Sequence, residues 1–156
     1  MGSEAGLRLL VLPGPYPQEI QRAVSQTGAV VDRSFFGDLE DRLKSYLAGR
    51  PVSFDDVKLD LSGTADFHRR VWRETRSIRY GQTRSYQWLA QQAGSPRGAR
   101  AVGRAMAANA VPIIIPCHRV ITSQGKLGGF GGGLDLKRHL LGIEIAGLRQ
   151  AGGNSI

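Results

Sequence analysis

The chain carries one cysteine, Cys117, within Ile113-Ile114-Ile115-Pro116-Cys117-His118-Arg119-Val120-Ile121. A thiol, an imidazole and a guanidinium follow one another inside an apolar run. Thiolate is the reactive form of cysteine, and neighbouring cations lower the thiol pKa. Free cysteine is also among the most buried residue types, so an inert packing role is the plain alternative. The adjacent His118 and Arg119 favour the reactive reading, because they supply the charge that activates a thiol. A carboxylate that held the imidazole would complete a relay. In it His118 takes the thiol proton, directly or through one water. If the segment is extended, adjacent side chains diverge and a bridging water is the expected link. Hydrolases, redox enzymes and alkyl acceptors all use such thiolates. A lone thiol has no resolving partner, which weakens the redox option.

Two kinds of element must position these groups. The first is a final helix, expected from about Leu134 to Ile145, with Leu136, Leu140 and Ile143 on its apolar face. Glu144 sits at the edge of that face. It either pairs with a nearby arginine or orients His118, and the pattern leaves both open. The second is a pair of helices upstream. Ser85 to Ala93 has apolar residues at i, i+3, i+4 and i+7, and Gly94-Ser95 stops it. A second helix is expected from Pro96 to about Ala108, with Ser95 as its cap. At 100° per residue, Ala99, Val102, Gly103 and Met106 share one face, and Arg97, Ala101, Arg100, Arg104 and Ala108 the other. Two helices joined by a short glycine-containing turn form a helix-turn-helix pattern. Alanine allows close approach to another surface, while arginine contacts phosphate and stacks on bases. A solvated basic face is the plain alternative. The preceding helix and the net charge favour nucleic acid.

Composition agrees. The 156 residues suit one compact domain or two small lobes, and a hydrophobic fraction of 41% is enough for a core. No apolar stretch approaches the roughly 20 residues of a membrane span. Met1-Gly2-Ser3-Glu4 lacks the features of a signal peptide. The net charge is +8, from 21 basic against 13 acidic residues. From Arg69 to Arg104 arginines are dense and the only acid is Glu74. One cysteine excludes an internal disulfide and a zinc site built on several thiolates. Upstream, Leu7 to Leu12, Ala29 to Val31 and Val57 to Leu61 read as strands. Phe35 to Leu47 and Ala65 to Ser77 read as helices. Ser123-Gln124-Gly125-Lys126 reads as a turn. The loop Gly128-Gly129-Phe130-Gly131-Gly132-Gly133 matches no phosphate-binding fingerprint.

Pro116-Cys117-His118-Arg119-Val120 resembles the active-site signature of the O6-alkylguanine-DNA alkyltransferases, the methylated-DNA–protein-cysteine methyltransferases. The resemblance extends over Phe67-His68-Arg69-Arg70-Val71-Trp72, Gly81-Gln82-Thr83-Arg84-Ser85-Tyr86, Ala99-Arg100-Ala101-Val102-Gly103, Asn109-Ala110-Val111-Pro112 and Leu136-Lys137-Arg138. It covers roughly the last 90 residues and implies an α+β fold. A small N-terminal α/β lobe with a short sheet would span 1–62. A mainly helical, winged-helix-like domain with the helix-turn-helix would span 63–148, and a flexible tail 149–156.

The implied function is direct repair of DNA without a cofactor or metal. A monomer binds the minor groove of double-stranded DNA and flips an O6-alkylguanine into a pocket. Cys117 then takes the alkyl group irreversibly, with O4 of thymine as a further target. By the resemblance, Arg100 takes the flipped base's place, and Arg97, Arg104, Ala99, Ala101, Ser85 and Thr83 contact DNA. Tyr86 meets the charge on the departing guanine, Asn109 braces the turn, and His118 with Glu144 forms the relay. Met106, Pro112, Val120, Phe130 and Gly131 line the pocket. The cytoplasm, or the nucleus of a eukaryote, is the implied location. The alternative is a non-catalytic sensor of alkylated DNA, a type that lacks the cysteine. Three departures stand out. Phe130-Gly131 offers no hydroxyl, Arg79 stands where proline is common, and no N-terminal cysteines are available for zinc.

Overall fold

The computed structural model describes residues 1–12 and 34–152. The expected strand Ala29 to Val31 lies outside these. The N-terminal part is held by short pairings. β1 (Gly2–Ser3) and β2 (Gly6–Leu7) pair antiparallel. Leu7 makes one parallel bridge to Leu59, with its N–H on Lys58 O and its carbonyl on Asp60 N–H. The strands expected over Leu7 to Leu12 and Val57 to Leu61 therefore shrink to two residues and to this bridge. α1 (Leu39–Leu47) starts later than Phe35. It buries Leu39 and Tyr46, and Gly49 at φ 85° follows its end.

α2 (Asp66–Arg76) buries Val71, Trp72 and Thr75 and leaves its arginine-rich side outward. Trp72 Nε1 donates to Ala105 O at 2.8 Å, which fixes α2 against α4. α3 (Tyr86–Gln92) begins where the Ser85 hydroxyl accepts from Trp88 N–H, a side-chain cap of the ordinary kind. Gly94 adopts φ 74°, a conformation that suits glycine, and the chain turns. α4 (Ala99–Ala107) starts three residues after the expected Pro96. The Gly98 N–H closes a turn on Ser95 O at 2.7 Å, so Ser95 is not a cap and Arg97 precedes the helix. The buried side of α4 is Val102, Ala105 and Met106; Ala99 and Gly103 are only half-buried.

Two rungs of parallel pairing join the helical pair to the cysteine segment. β3 (Arg84–Ser85) pairs with β4 (Val120–Ile121), Arg84 opposite Val120 and Ser85 opposite Ile121. This holds Tyr86, the first residue of α3, beside the chain that leaves Cys117. α5 (Leu134–Gly152) runs into the stretch expected as a tail. Its buried stripe is Lys137, Leu140, Glu144 and Gly147, with Leu136 and Ile143 half-buried at its margins. Gly147 has no side chain for a reason. A Cβ there would stand 2.0 Å from Gly49 O and 2.5 Å from the Tyr80 hydroxyl. The core joins both parts of the chain, through Leu7, Tyr46, Val71, Leu89, Val102, Ile115, Val120 and Leu140. No helix among the described residues is long and apolar enough to cross a membrane.

Candidate active site

Cys117 opens a 3-10 turn, Cys117–Arg119, rather than lying in an extended strand. The tight entry explains why. Cys117 N–H donates to Ile115 O at 2.7 Å, and Arg119 N–H to Pro116 O at 2.9 Å. Asn109 clasps the preceding loop. Its Nδ2 donates to Ile115 O at 2.9 Å and to Cys117 Sγ at 3.1 Å, and its Oδ1 accepts from Val111 N–H at 2.9 Å. Ile113, buried within that loop, is the only described non-glycine residue with positive φ, at 72°. A left-handed conformation costs an L-residue about 1–2 kcal/mol, and the clasp with the surrounding core holds it there.

Behind the thiol lie His118, Glu144 and Tyr46. His118 Nε2 is 2.8 Å from Glu144 Oε1 and 3.0 Å from the Tyr46 hydroxyl oxygen. The Tyr46 hydroxyl spends its proton on Glu144 Oε1 at 2.7 Å. Both atoms facing Nε2 are therefore acceptors, so Nε2 carries the proton and Nδ1 a lone pair. Nδ1 is buried and has no hydrogen-bond partner among the described residues. Glu144 touches both of the groups that the sequence offered it. Besides His118, its oxygens accept from Arg119 Nε at 3.0 and 3.2 Å and from Arg119 Nη2 at 2.9 Å. Gly81 N–H adds a further bond to Oε2 at 2.8 Å.

The titration of these groups follows from burial and charge. Burial opposes the charge on Glu144, but hydrogen bonds from His118 and Arg119 outweigh it and hold the carboxyl at about 2. Burial lowers the His118 pKa against the pull of Glu144. Burial raises the Cys117 thiol, while the Asn109 amide and the Lys137 charge pull it down. Lys137 was missed in the sequence and is fully buried. Its Nζ donates to Val120 O at 2.6 Å and to Gly129 O at 3.3 Å, and lies 5.8 Å over the Tyr86 ring. Burial pushes it down to about 8. The signal for it was spacing: Lys137, Leu140 and Glu144 lie at i, i+3 and i+7 on one stripe. Tyr46, which meets His118 and Glu144 from α1, carried no sequence signal of these contacts.

The thiol borders a cavity of about 530 Å³. Of the five predicted pocket residues, Met106, Phe130 and Gly131 line it, together with Tyr86 and Arg100. Pro112 and Val120 do not. Val120 is fully buried in β4 and Pro112 pairs with Ile115 inside the clasped loop. Ala99, Gly103 and Ala107 of α4 also border the cavity, with Gln87, Thr122, Ser123 and Gly129. The Tyr86 hydroxyl donates to Gly129 O at 3.3 Å, and burial first, then Cys117, raises its pKa. Arg100 and Arg104 are exposed on α4, Arg97 is exposed ahead of it, and Ala101 is half-buried. Thr83 and Ser85 lie outside the cavity, and the Ser85 hydroxyl is taken by its cap bond. A larger cleft of about 1300 Å³ between α2 and residues 51–61 does not reach the thiol. Among the described residues, no group of His, Cys, Asp and Glu is placed to hold a metal.

Comparison with known proteins agrees with this geometry. Residues 66–146 match the family described as 6-O-methylguanine DNA methyltransferase, DNA binding domain. A methylated-DNA–protein-cysteine methyltransferase of Mycolicibacterium paratuberculosis is 48% identical over 120 residues, 77% of this chain and 72% of that protein. One from Mycobacterium tuberculosis is 50% identical over the same shares. Among solved structures, the M. tuberculosis OGT in complex with DNA aligns with a TM-score of 0.67 at 44% identity, over 76% of each chain. The O6-methylguanine-DNA methyltransferase of Pyrococcus kodakaraensis aligns at 0.60 and 26% identity, over 81% of this chain and 75% of that one. With its thiol clasped by Asn109, backed by His118 and Glu144 and opening beside an arginine-bearing helix, the chain belongs to the methylated-DNA–protein-cysteine methyltransferase family.

Proposed function

We propose that this protein repairs alkylated DNA by moving an alkyl group from O6 of guanine to Cys117, once per chain. The observation that carries this reading is the shared cavity. Cys117, the phenol of Tyr86 and Arg100 border one space large enough for an extruded base. α4 lies on the duplex and Arg100 fills the stack that the base leaves. The Cys117 proton passes, through one water, to the free lone pair of His118 Nδ1. Glu144, held ionised, stabilises the imidazolium through Nε2.

The thiolate attacks the alkyl carbon. The S–C bond forms, the C–O6 bond breaks, and its electron pair goes to the guanine. That developing charge is met by the Tyr86 hydroxyl, with the Lys137 ammonium beneath the ring. The thioether has no second thiol to release it, so the protein is consumed. No cofactor or metal enters the scheme.

Intact-protein mass after mixing with a duplex holding O6-methylguanine tests this. One methyl gained on Cys117, and none in Cys117→Ser, is the expected result. An unchanged mass with retained binding to the damaged duplex would favour the sensor reading instead.

A further inference from the structure

We infer that Tyr46 is a positioning residue of the relay: its hydroxyl sets how strongly Glu144 draws on His118, and hence the pH at which Cys117 becomes nucleophilic. The inference rests on the relay proposed above. Tyr46 lies on α1, outside the 66–146 stretch that matches the family, and its side chain is fully buried. Its one proton goes to Glu144 Oε1 at 2.7 Å, so its oxygen meets His118 Nε2 at 3.0 Å only as an acceptor. Oε1 thus serves three groups at once: Tyr46, His118 and Arg119.

Each donor withdraws charge from that oxygen and weakens its hold on an imidazolium. Among them, Tyr46 alone can lose its donor without the loss of a charge. The Nε2 contact to Glu144, at 2.8 Å, is shorter than that to Tyr46, so the carboxylate branch dominates. Removal of the hydroxyl therefore makes His118 more basic. The other groups around the imidazole are Glu144 and Lys137 from α5, Arg119 and Cys117 from its own turn, and Tyr80 behind the Tyr46 ring. A Tyr46→Phe change alters none of them. The ring packs edge-on to Phe54, Tyr80 and His118, contacts that phenylalanine keeps.

The test uses the full chain and the rate of methyl uptake from a duplex holding O6-methylguanine, measured across pH. Wild type, Tyr46→Phe and His118→Gln are compared, with thermal unfolding alongside. His118 must lose its own proton before it can take that of Cys117, so in Tyr46→Phe the midpoint of the rise in rate is expected about half a pH unit higher. Below the midpoint this variant then reacts about threefold more slowly than wild type, and the shift of the midpoint itself separates this from a loss of Tm. A 3-fluorotyrosine placed at position 46 alone is a stronger donor that keeps the fold, and it moves the midpoint the other way. An unmoved midpoint in both, or a fall in Tyr46→Phe, overturns the inference and leaves Tyr46 a packing residue. A wild-type profile in His118→Gln removes the relay, and the inference with it. No methyl uptake by wild type removes the function itself.

Discussion

The side-chain amide of Asn109 donates to Cys117 Sγ at 3.1 Å while its carbonyl oxygen holds Val111 N–H. One residue therefore both supports the thiolate and fixes the loop that delivers it. Asn109→Ala removes the hydrogen bond that counters burial of the thiol. The Cys117 pKa rises further, and alkylation at neutral pH slows about tenfold for each unit of that rise. The rate recovers at alkaline pH. Unfolding free energy falls by about 1–3 kcal/mol, because Val111 N–H and Ile115 O lose a buried partner. Iodoacetamide labelling across pH and urea unfolding measure the two effects.

Glu144 makes the fold sensitive to acid. Its folded pKa is depressed, so its contribution is complete above the ordinary 4.5 and is lost as pH falls towards about 2. His118 is also depressed, from 6.5, by burial, and adds a loss that begins below that value. Urea midpoints measured from neutral pH down to about pH 3 should decline and then steepen in wild type. Glu144→Gln lacks the steep limb. At neutral pH that variant is destabilised by about 3–5 kcal/mol, since the buried Arg119 loses its partner.

Lys137 has the opposite signature. Its folded pKa of about 8 lies below its ordinary 10.5, so burial of its charge destabilises the fold below 8. Stability gained on deprotonation appears as pH rises from 8 to 10.5 and is lost again as it falls. Lys137→Met should be more stable than wild type at neutral pH and should lack this rise. Alkyl transfer by the same variant is expected to slow about 10²-fold, the scale on which one preorganised charge acts. Stopped-flow or quench kinetics against unfolding curves separate the two.

Gly131 borders the cavity, and a Cβ built there meets nothing within 4 Å. Gly131→Ser should fold with stability changed by no more than about 0.5 kcal/mol. It narrows the space beside the thiol and should raise the ratio of methyl to benzyl transfer rates. Gly128 behaves differently. A Cβ there would stand 2.7 Å from the Tyr86 ring at φ 67°, so Gly128→Ala displaces the phenol and slows both substrates.

Arg100 is exposed on α4 and borders the cavity. Arg100→Ala should leave the reaction with the free base O6-benzylguanine unchanged. Transfer from duplex DNA should fall about ten- to a hundredfold, the worth of about one stacked base. The ratio of the two rates is the measurement.

The chemistry was legible in the sequence because Cys117, His118 and Arg119 are neighbours in the chain. Their geometry was not. The sequence allowed an extended segment, and the bonds to Ile115 O and Pro116 O wind it into a 3-10 turn instead. Short-range patterns cannot show contacts made across many residues. Tyr46 meets Glu144 across 98 positions, and Lys137 reaches Val120 across 17. A wheel built on apolar residues puts Glu144 at the edge of the apolar face and gives Lys137 no role, whereas α5 turns both inward to polar partners. Pro112 and Val120 were expected in the pocket on the family resemblance. The clasped loop and the β4 ladder instead use them as framework.

The Tyr46–Glu144 bond also decides how this protein can be taken apart. A fragment cut to residues 66–146 would contain the thiol, the imidazole and the carboxylate, with α2, α3 and α4 whole and α5 as far as Ala146. It would lack the hydroxyl that occupies Glu144 Oε1 and the ring that covers His118. Water would enter where a tyrosine now excludes it. Exchange of the first lobe with that of a relative is therefore not a neutral graft. The donor must bring a phenol on the same turn of α1, or the recipient's cysteine will answer to a different pH.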